Sequence, residues 1–149
     1  FGLAGLRIGW IATRNREIYQ QLVNLKDYTT ICSSAPSEFL GILALRRRQQ
    51  IIERNRQLIL RNLTLLDEFF AVHSSRVTWV RPGAGPIAFP LLAGGENAED
   101  FCRALVENAG VMLVPGSVYA PEYAGRFRIG YGRANFSEAL ARLSDFLDS

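Results

Sequence analysis

With 149 residues, 48% of them hydrophobic and 21% charged, the chain has an ordinary folded balance and enough apolar material for one globular domain or one and a half small ones. Disorder and collagen-like structure are excluded, and so is a membrane span, because no run approaches about 18 uninterrupted apolar residues. A net charge of +3 lacks the concentrated basic face of a nucleic-acid binder, two cysteines are too few for a disulfide scaffold, and the single histidine, His73, argues against a Cys/His zinc site.

Phe1 is not an initiator methionine, and the opening segment has no basic region followed by a long apolar core. It reads as a piece of a longer protein and not as a signal peptide. Leu6 to Ala12 is apolar and loosely alternating, which predicts a buried strand after a glycine-rich loop. Arg16 to Lys26 reads as a short helix, with Ile18, Leu22 and Leu25 on one face. Tyr28 to Pro36 is small and polar and reads as a loop, with Ser34 as N-cap and Pro36 in the first turn of the next helix.

From Pro36 to about Val72 there is no further proline and only Gly41, which permits one helix of roughly 35 residues, on the order of 50 Å at 1.5 Å per residue. Its ends are apolar and its middle polar, the pattern of a helix bridging two packed units, with a boundary near residues 48–58. Sixteen of the seventeen basic residues are arginine, and the dense run Arg46-Arg47-Arg48 falls in this waist, where it reads as a solvated helix face.

Beyond the helix, Val77 to Val80 and Ile87 to Leu92 are predicted strands joined by a Pro/Gly turn. Asn97 caps a helix ending at Gly110, Val111 to Val114 and Arg126 to Tyr131 are further strands, and Asn135 caps a last helix carrying Phe136, Leu140, Leu143 and Leu147 on one face. The order β-β-α-β-β-α predicts a small α+β layer. His73 reads as a helix-end or exposed histidine, Cys32 and Cys102 as small partly buried residues in a reducing compartment, and Trp10 and Trp79 as core.

Two arginines stand out. Gly2, Gly5 and Gly9 surround Arg7, and glycines at this spacing allow close backbone approach to a ligand. A guanidinium emerging there suits a phosphate dianion, although on spacing alone it reads equally well as a structural arginine bonding carbonyls. In Arg126-Phe127-Arg128-Ile129-Gly130-Tyr131-Gly132, Phe127, Ile129 and Tyr131 share the predicted core face, and Arg126, Arg128, Gly130 and Gly132 share the other. Arg128 beside glycines has room for a small carboxylate held bidentately, though taken alone it reads as an ordinary solvated arginine.

The wording of these segments resembles one family. Phe1-Gly2-Leu3-Ala4-Gly5-Leu6-Arg7-Ile8-Gly9-Trp10 is similar to the segment following the Schiff-base lysine of class I/II aminotransferases, fold-type I enzymes dependent on pyridoxal phosphate, which reads Ser-Lys-x-Phe/Tyr-Gly-x-x-Gly-x-Arg-x-Gly. The resemblance implies that Arg7 binds the phosphate of pyridoxal 5'-phosphate. Phe127-Arg128-Ile129 followed by Asn135 and the Phe136 helix resembles the family's C-terminal strand, implying that Arg128 clamps the substrate carboxylate; Arg126, on the same face, is the weaker candidate and reads rather as a surface residue. Thr29 to Pro36 resembles the polar stretch that approaches the neighbouring subunit's phosphate, so Ser33 and Ser34 become candidate cofactor contacts, with loop bonding and helix capping as equal alternatives. Pro82 to Phe89 and Val114-Pro115-Gly116-Ser117 resemble family segments that shape the cleft without taking part in chemistry.

The resemblance implies a fold: the end of a large α/β domain with the first half of a linking helix (residues 1–50) and a small C-terminal α+β domain (51–149). It implies a cytoplasmic homodimer that moves an amino group between an amino acid and a 2-oxo acid, without nucleic acid, membrane or metal. A lyase or synthase of the same fold, or a non-catalytic folded fragment, is the alternative. The family lysine falls two positions before Phe1, and Lys26 cannot replace it from the wrong side of Arg7. The chain alone is therefore expected to be inactive.

Overall fold

The computed structural model describes all residues from Phe1 to Ser149, and the chain divides into two compact units, Phe1–Asn55 and Arg56–Ser149. The division falls inside a helix.

The first unit opens on a tight 3-10 turn, Ala4–Leu6, closed by the Leu6 and Arg7 N–H groups donating to the Leu3 and Ala4 carbonyls. The strand expected over Leu6 to Ala12 is not formed, because a strand exists through its ladder and no other strand pairs with these residues. Helix α1, Arg16–Thr29, starts where Asn15 Oδ1 accepts from the Glu17 and Ile18 N–H groups at 2.9 and 3.2 Å. Helix α2, Ala35–Arg46, has Pro36 in its first turn, but the Ser34 hydroxyl makes no capping bond. Helix α3, Arg48–Val72, follows after one residue. The single long helix predicted from Pro36 to Val72 is thus broken at Arg47, whose φ −103°, ψ 17° turns its N–H toward both the Leu43 and Ala44 carbonyls at 3.1 Å. No residue up to Asn55 is buried, so Trp10, expected in a core, is 72% exposed.

The second unit holds the core. Leu63, Leu66, Phe69 and Phe70 on α3 present one stripe at helical spacing. Short strands follow: β1, Val77–Thr78, pairs antiparallel with β3, Leu91–Leu92. Between them β2, Ile87–Ala88, joins a second sheet. Residues Ile87 to Leu92 were expected as one strand; Phe89-Pro90 divides it, since proline offers no N–H to a ladder. Helix α4, Ala98–Ala109, begins at Asn97, whose Oδ1 accepts from the Glu99 N–H at 2.8 Å, and ends at Gly110 with φ 65°. Strand β4, Val114–Pro115, and strand β5, Phe127–Gly130, complete an antiparallel sheet ordered β2-β5-β4. Helix α5, Phe136–Asp148, closes the chain. Asn135 does not cap it through its side chain: at φ −91°, ψ 20° it lacks the extended geometry that reaches the first-turn donors.

The register pairs Ala88 with Ile129 and Val114 with Arg128. Strand β5 therefore turns Phe127 and Ile129 into the core, against Ala98, Phe101 and Leu105 of α4 and Leu140, Leu143 and Leu147 of α5. Its other face, with Arg128 and Gly130, stays open. Full burial of side chains such as Leu66 and Leu105 contributes about 1.5–3 kcal/mol each. Buried Asn62 on α3 fastens the strand's exit, its Nδ2 donating to the Tyr131 and Arg133 carbonyls at 2.8 Å each. This is an α+β layer. No helix is long and apolar enough to cross a membrane.

Candidate functional site

Strand β5 carries Arg128 on the sheet face that the core does not cover. Gly130, two residues on and on the same face, has nothing within 4 Å of where a Cβ would stand, so the space beside Arg128 is open. Arg128, Gly130 and Arg133 line a hollow of about 560 Å³ whose wall also carries Met112 and, from α5, Glu138 and Arg142. The guanidinium has one protein partner: Nη1 donates to the Tyr119 hydroxyl at 2.7 Å, and no carboxylate pairs with it. A guanidinium held but not neutralised can take an anion.

Tyr119 was not singled out in the sequence, and local packing puts it there. Gly116 opens a 3-10 turn, Gly116–Val118, its N–H donating to the Arg126 carbonyl at 2.6 Å, and the Tyr119 N–H returns to the Gly116 carbonyl at 2.9 Å. A side chain at position 116 would collide with the Tyr123 carbonyl and stand 2.8 Å from that of Arg126, so the turn needs glycine. The signal was present in Val114-Pro115-Gly116-Ser117, three residues upstream. Arg126, expected at the surface, is half-buried: Nη1 donates to the Phe89 carbonyl at 3.1 Å and the guanidinium lies 5.9 Å from the Phe89 ring centre. Phe89 in turn meets Tyr119 and Tyr123 edge-on at 6.0 and 5.5 Å.

Arg7, in the first unit, has φ 52°, ψ 32°, one of two non-glycine residues with positive φ; the other is Ile31. Such a conformation costs an L-residue of order 1 kcal/mol or more and calls for a reason. The loop around it is fastened: Asn55 Nδ2 donates to the Phe1 carbonyl at 3.0 Å, and Gly41 of α2 lets the Ile8 side chain come within 3.6 Å of the position a Cβ would take. Arg7 itself is exposed and its guanidinium makes no internal hydrogen bond or ion pair. Ser33 and Ser34 follow Ile31 in the loop between α1 and α2; both are exposed and neither hydroxyl makes an internal hydrogen bond. An unpaired guanidinium and free hydroxyls are donor types that suit a phosphate. Lys26, near the end of α1, has its Nζ 3.5 Å from Thr30 Oγ1.

His73 is buried rather than exposed, its Nε2 2.8 Å from Ser144 Oγ and its Nδ1 3.7 Å from Asp148 Oδ1. These are the residue types of a nucleophile–base–acid triad. The aspartate stands too far for a hydrogen bond, and Ser144 sits within α5, whose N–H groups serve the helix ladder and leave no oxyanion hole. The set joins the end of α3 to the end of α5. Cys32 is exposed, and Cys102 is buried with its thiol pushed up to about 11 by desolvation, so it stays protonated at neutral pH.

The family described as aminotransferase class I and II matches residues 1–143. Capreomycidine synthase of Streptomyces vinaceus is 29% identical over 149 residues, covering 99% of this chain and 38% of that protein. A putative aminotransferase of Bacillus subtilis, YugH, is 26% identical over 150 residues with the same coverage. Among solved structures, a PLP-dependent aminotransferase from Streptococcus suis superposes with a TM-score of 0.90 at 35% identity, over 99% of this chain and 39% of that one. The PLP-dependent cyclase OrfR does so at 0.87 and 31%, over 99% and 40%. The chain spans about two fifths of the length of the relatives it matches.

Proposed function

Because the chain belongs to the class I and II aminotransferase family, we propose that it supplies two anion clamps to a pyridoxal-phosphate-dependent aminotransferase that transfers an amino group between an amino acid and a 2-oxo acid. Arg7 would hold the phosphate of pyridoxal 5'-phosphate, and Ser33 and Ser34 would approach the phosphate bound by the neighbouring subunit. Arg128 would hold the substrate α-carboxylate. The observation that carries this reading is the Arg128 guanidinium: anchored at one nitrogen, unpaired with any acid, and beside open space at Gly130. The cofactor, when bound, supplies an electron sink at the substrate α-carbon. The chain's own work is positional and electrostatic: Arg128 fixes the α-carboxylate and so the orientation of the α-carbon, and Arg7 anchors the cofactor against displacement.

The domain reading, 1–50 from a large cofactor domain and 51–149 as the small domain, draws support from the compact division at Asn55/Arg56. A homodimeric assembly draws support from the exposed apolar side chains of α2, among them Phe39, Leu40 and Ile42. A cytoplasmic setting is in keeping with two unpaired thiols. The chain alone, with Lys26 as its one lysine, is proposed to turn over no substrate.

A second reading, a cyclising or synthase reaction of the same fold, is favoured by capreomycidine synthase and OrfR among the relatives. One experiment separates the two: the polypeptide carrying this chain is given an amino acid with and without a 2-oxo acid. Amino-group transfer requires the 2-oxo acid and consumes it one for one, whereas cyclisation proceeds without it. Arg128→Ala should lower kcat/KM at least a hundredfold in either case. An unchanged kcat/KM would remove the carboxylate clamp.

A further inference from the structure

Arg128 is oriented by a phenol, and that choice carries chemical information. A carboxylate in the same place would orient the guanidinium equally well but would neutralise it, leaving little field for an incoming anion. The Tyr119 hydroxyl accepts from Nη1 at 2.7 Å and adds no charge. Nη1 is thereby engaged, while the Nε–H and Nη2–H edge has no partner, and that edge is the fork that binds both oxygens of a carboxylate. In accepting from Arg128 the tyrosine also keeps its own O–H, which makes no other hydrogen bond in the chain and remains available as a donor.

Two independent supports hold this tyrosine. Its backbone is fixed by the glycine-dependent turn at Gly116, and its ring lies edge-on against Phe89 at 6.0 Å. Phe89 is itself secured by Arg126, through the carbonyl bond at 3.1 Å and the guanidinium 5.9 Å from its ring centre. An arginine on an open sheet face ordinarily samples many rotamers and must lose them on binding. Here part of that ordering is done before a ligand arrives.

We propose that Tyr119 is a positioning residue for substrate carboxylates: it orders Arg128 without discharging it, exposes the Nε/Nη2 edge, and offers its own hydroxyl as an additional donor to the bound carboxylate. This rests on the reading of Arg128 as the carboxylate clamp.

The test uses the whole polypeptide carrying this chain and pyruvate as the probe, followed by NMR at the Arg128 side-chain N–H groups. In the free chain, rotation about the Arg128 Cζ–Nη bonds should be slow and should quicken in Tyr119→Phe, a readout that ring packing alone would not move. Tyr119→Phe should weaken pyruvate binding about threefold to tenfold, the size expected for one lost hydrogen bond. Tyr119→Glu, which keeps an acceptor but adds negative charge, should leave Arg128 ordered and yet weaken pyruvate more than the phenylalanine does. Matching heat-unfolding midpoints establish that the variants are folded. Wild-type pyruvate affinity and unaltered Arg128 rotation in Tyr119→Phe would overturn the role of Tyr119 while leaving Arg128 intact as the clamp. Undiminished binding by Arg128→Ala, or no saturable binding by the whole wild-type polypeptide, would overturn the clamp itself.

Discussion

The two units of this chain are built from helices of similar local quality and differ in what those helices cover. In Phe1–Asn55, α1 has a side-chain cap and an acidic first turn, and α2 has a proline start, yet neither contains a buried residue. In Arg56–Ser149, the C-terminal part of α3 together with α4 and α5 bury apolar stripes in one core shared with the short antiparallel strands. The contrast teaches that a helix can be specified by its neighbours in sequence while its contribution to stability is decided by what lies across from it. The candidate phosphate donors stand in the unit without a core and the candidate carboxylate clamp in the unit that has one.

The largest effect that could break this contrast is a core truncation. Leu66→Ala, at a fully buried position of α3, should destabilise by about 2–5 kcal/mol, whereas Leu43→Ala on α2, 41% exposed, should stay within about 0.5 kcal/mol. Denaturant melts followed by circular dichroism measure both, and equal losses would mean that the first unit is packed as tightly as the second.

The thiols sharpen the same contrast. Cys32, exposed, should react with a thiol reagent in the native protein, and Cys102, buried, only after unfolding. With its folded pKa raised from 9.0 to about 11, Cys102 stays protonated in the native state over a range where the unfolded chain loses that proton. The unfolded state then binds fewer protons, so stability should fall as pH rises from about 9 to about 11. A Cys102→Ala variant, compared across that window, should show a shallower fall.

The smallest expected effect is local. Arg7→Gly places a residue that tolerates positive φ where arginine holds φ 52°, and it should gain up to about 1 kcal/mol in local hydrogen-exchange protection of the Ala4–Arg7 turn while losing affinity for inorganic phosphate. Gained protection without lost phosphate binding would mean that the strain serves some other purpose than presenting the guanidinium.

Much of the second unit was legible in the residues. The stripe Phe136, Leu140, Leu143, Leu147 and the alternation Phe127, Arg128, Ile129, Gly130 are short-range patterns, and each element appears where its period placed it. What escaped reading was partly local, as in the helix break at Arg47 and the absent side-chain caps at Ser34 and Asn135, and partly dependent on partners distant in the chain. Leu6 to Ala12 has strand composition but no strand beside it; Pro90 divides a run that reads as continuous; Trp10 is apolar without being covered. Tyr119 gave no pattern of its own, and only the register of β4 with β5 and the Gly116 turn bring its hydroxyl to Arg128.

By itself the sequence determined much of the local structure and the chemistry on offer: a cap at Asn97, a glycine stop at position 110, apolar stripes, and two arginines near glycines, all set by interactions within a few residues. The tertiary structure alone decided which groups are buried and which are paired. It placed His73 under Ser144, fastened Asn62 to the exit of β5, and left Arg128 held by a neutral partner. Burial and hydrogen bonding between distant segments depend on how the chain returns on itself, and no local period encodes that return.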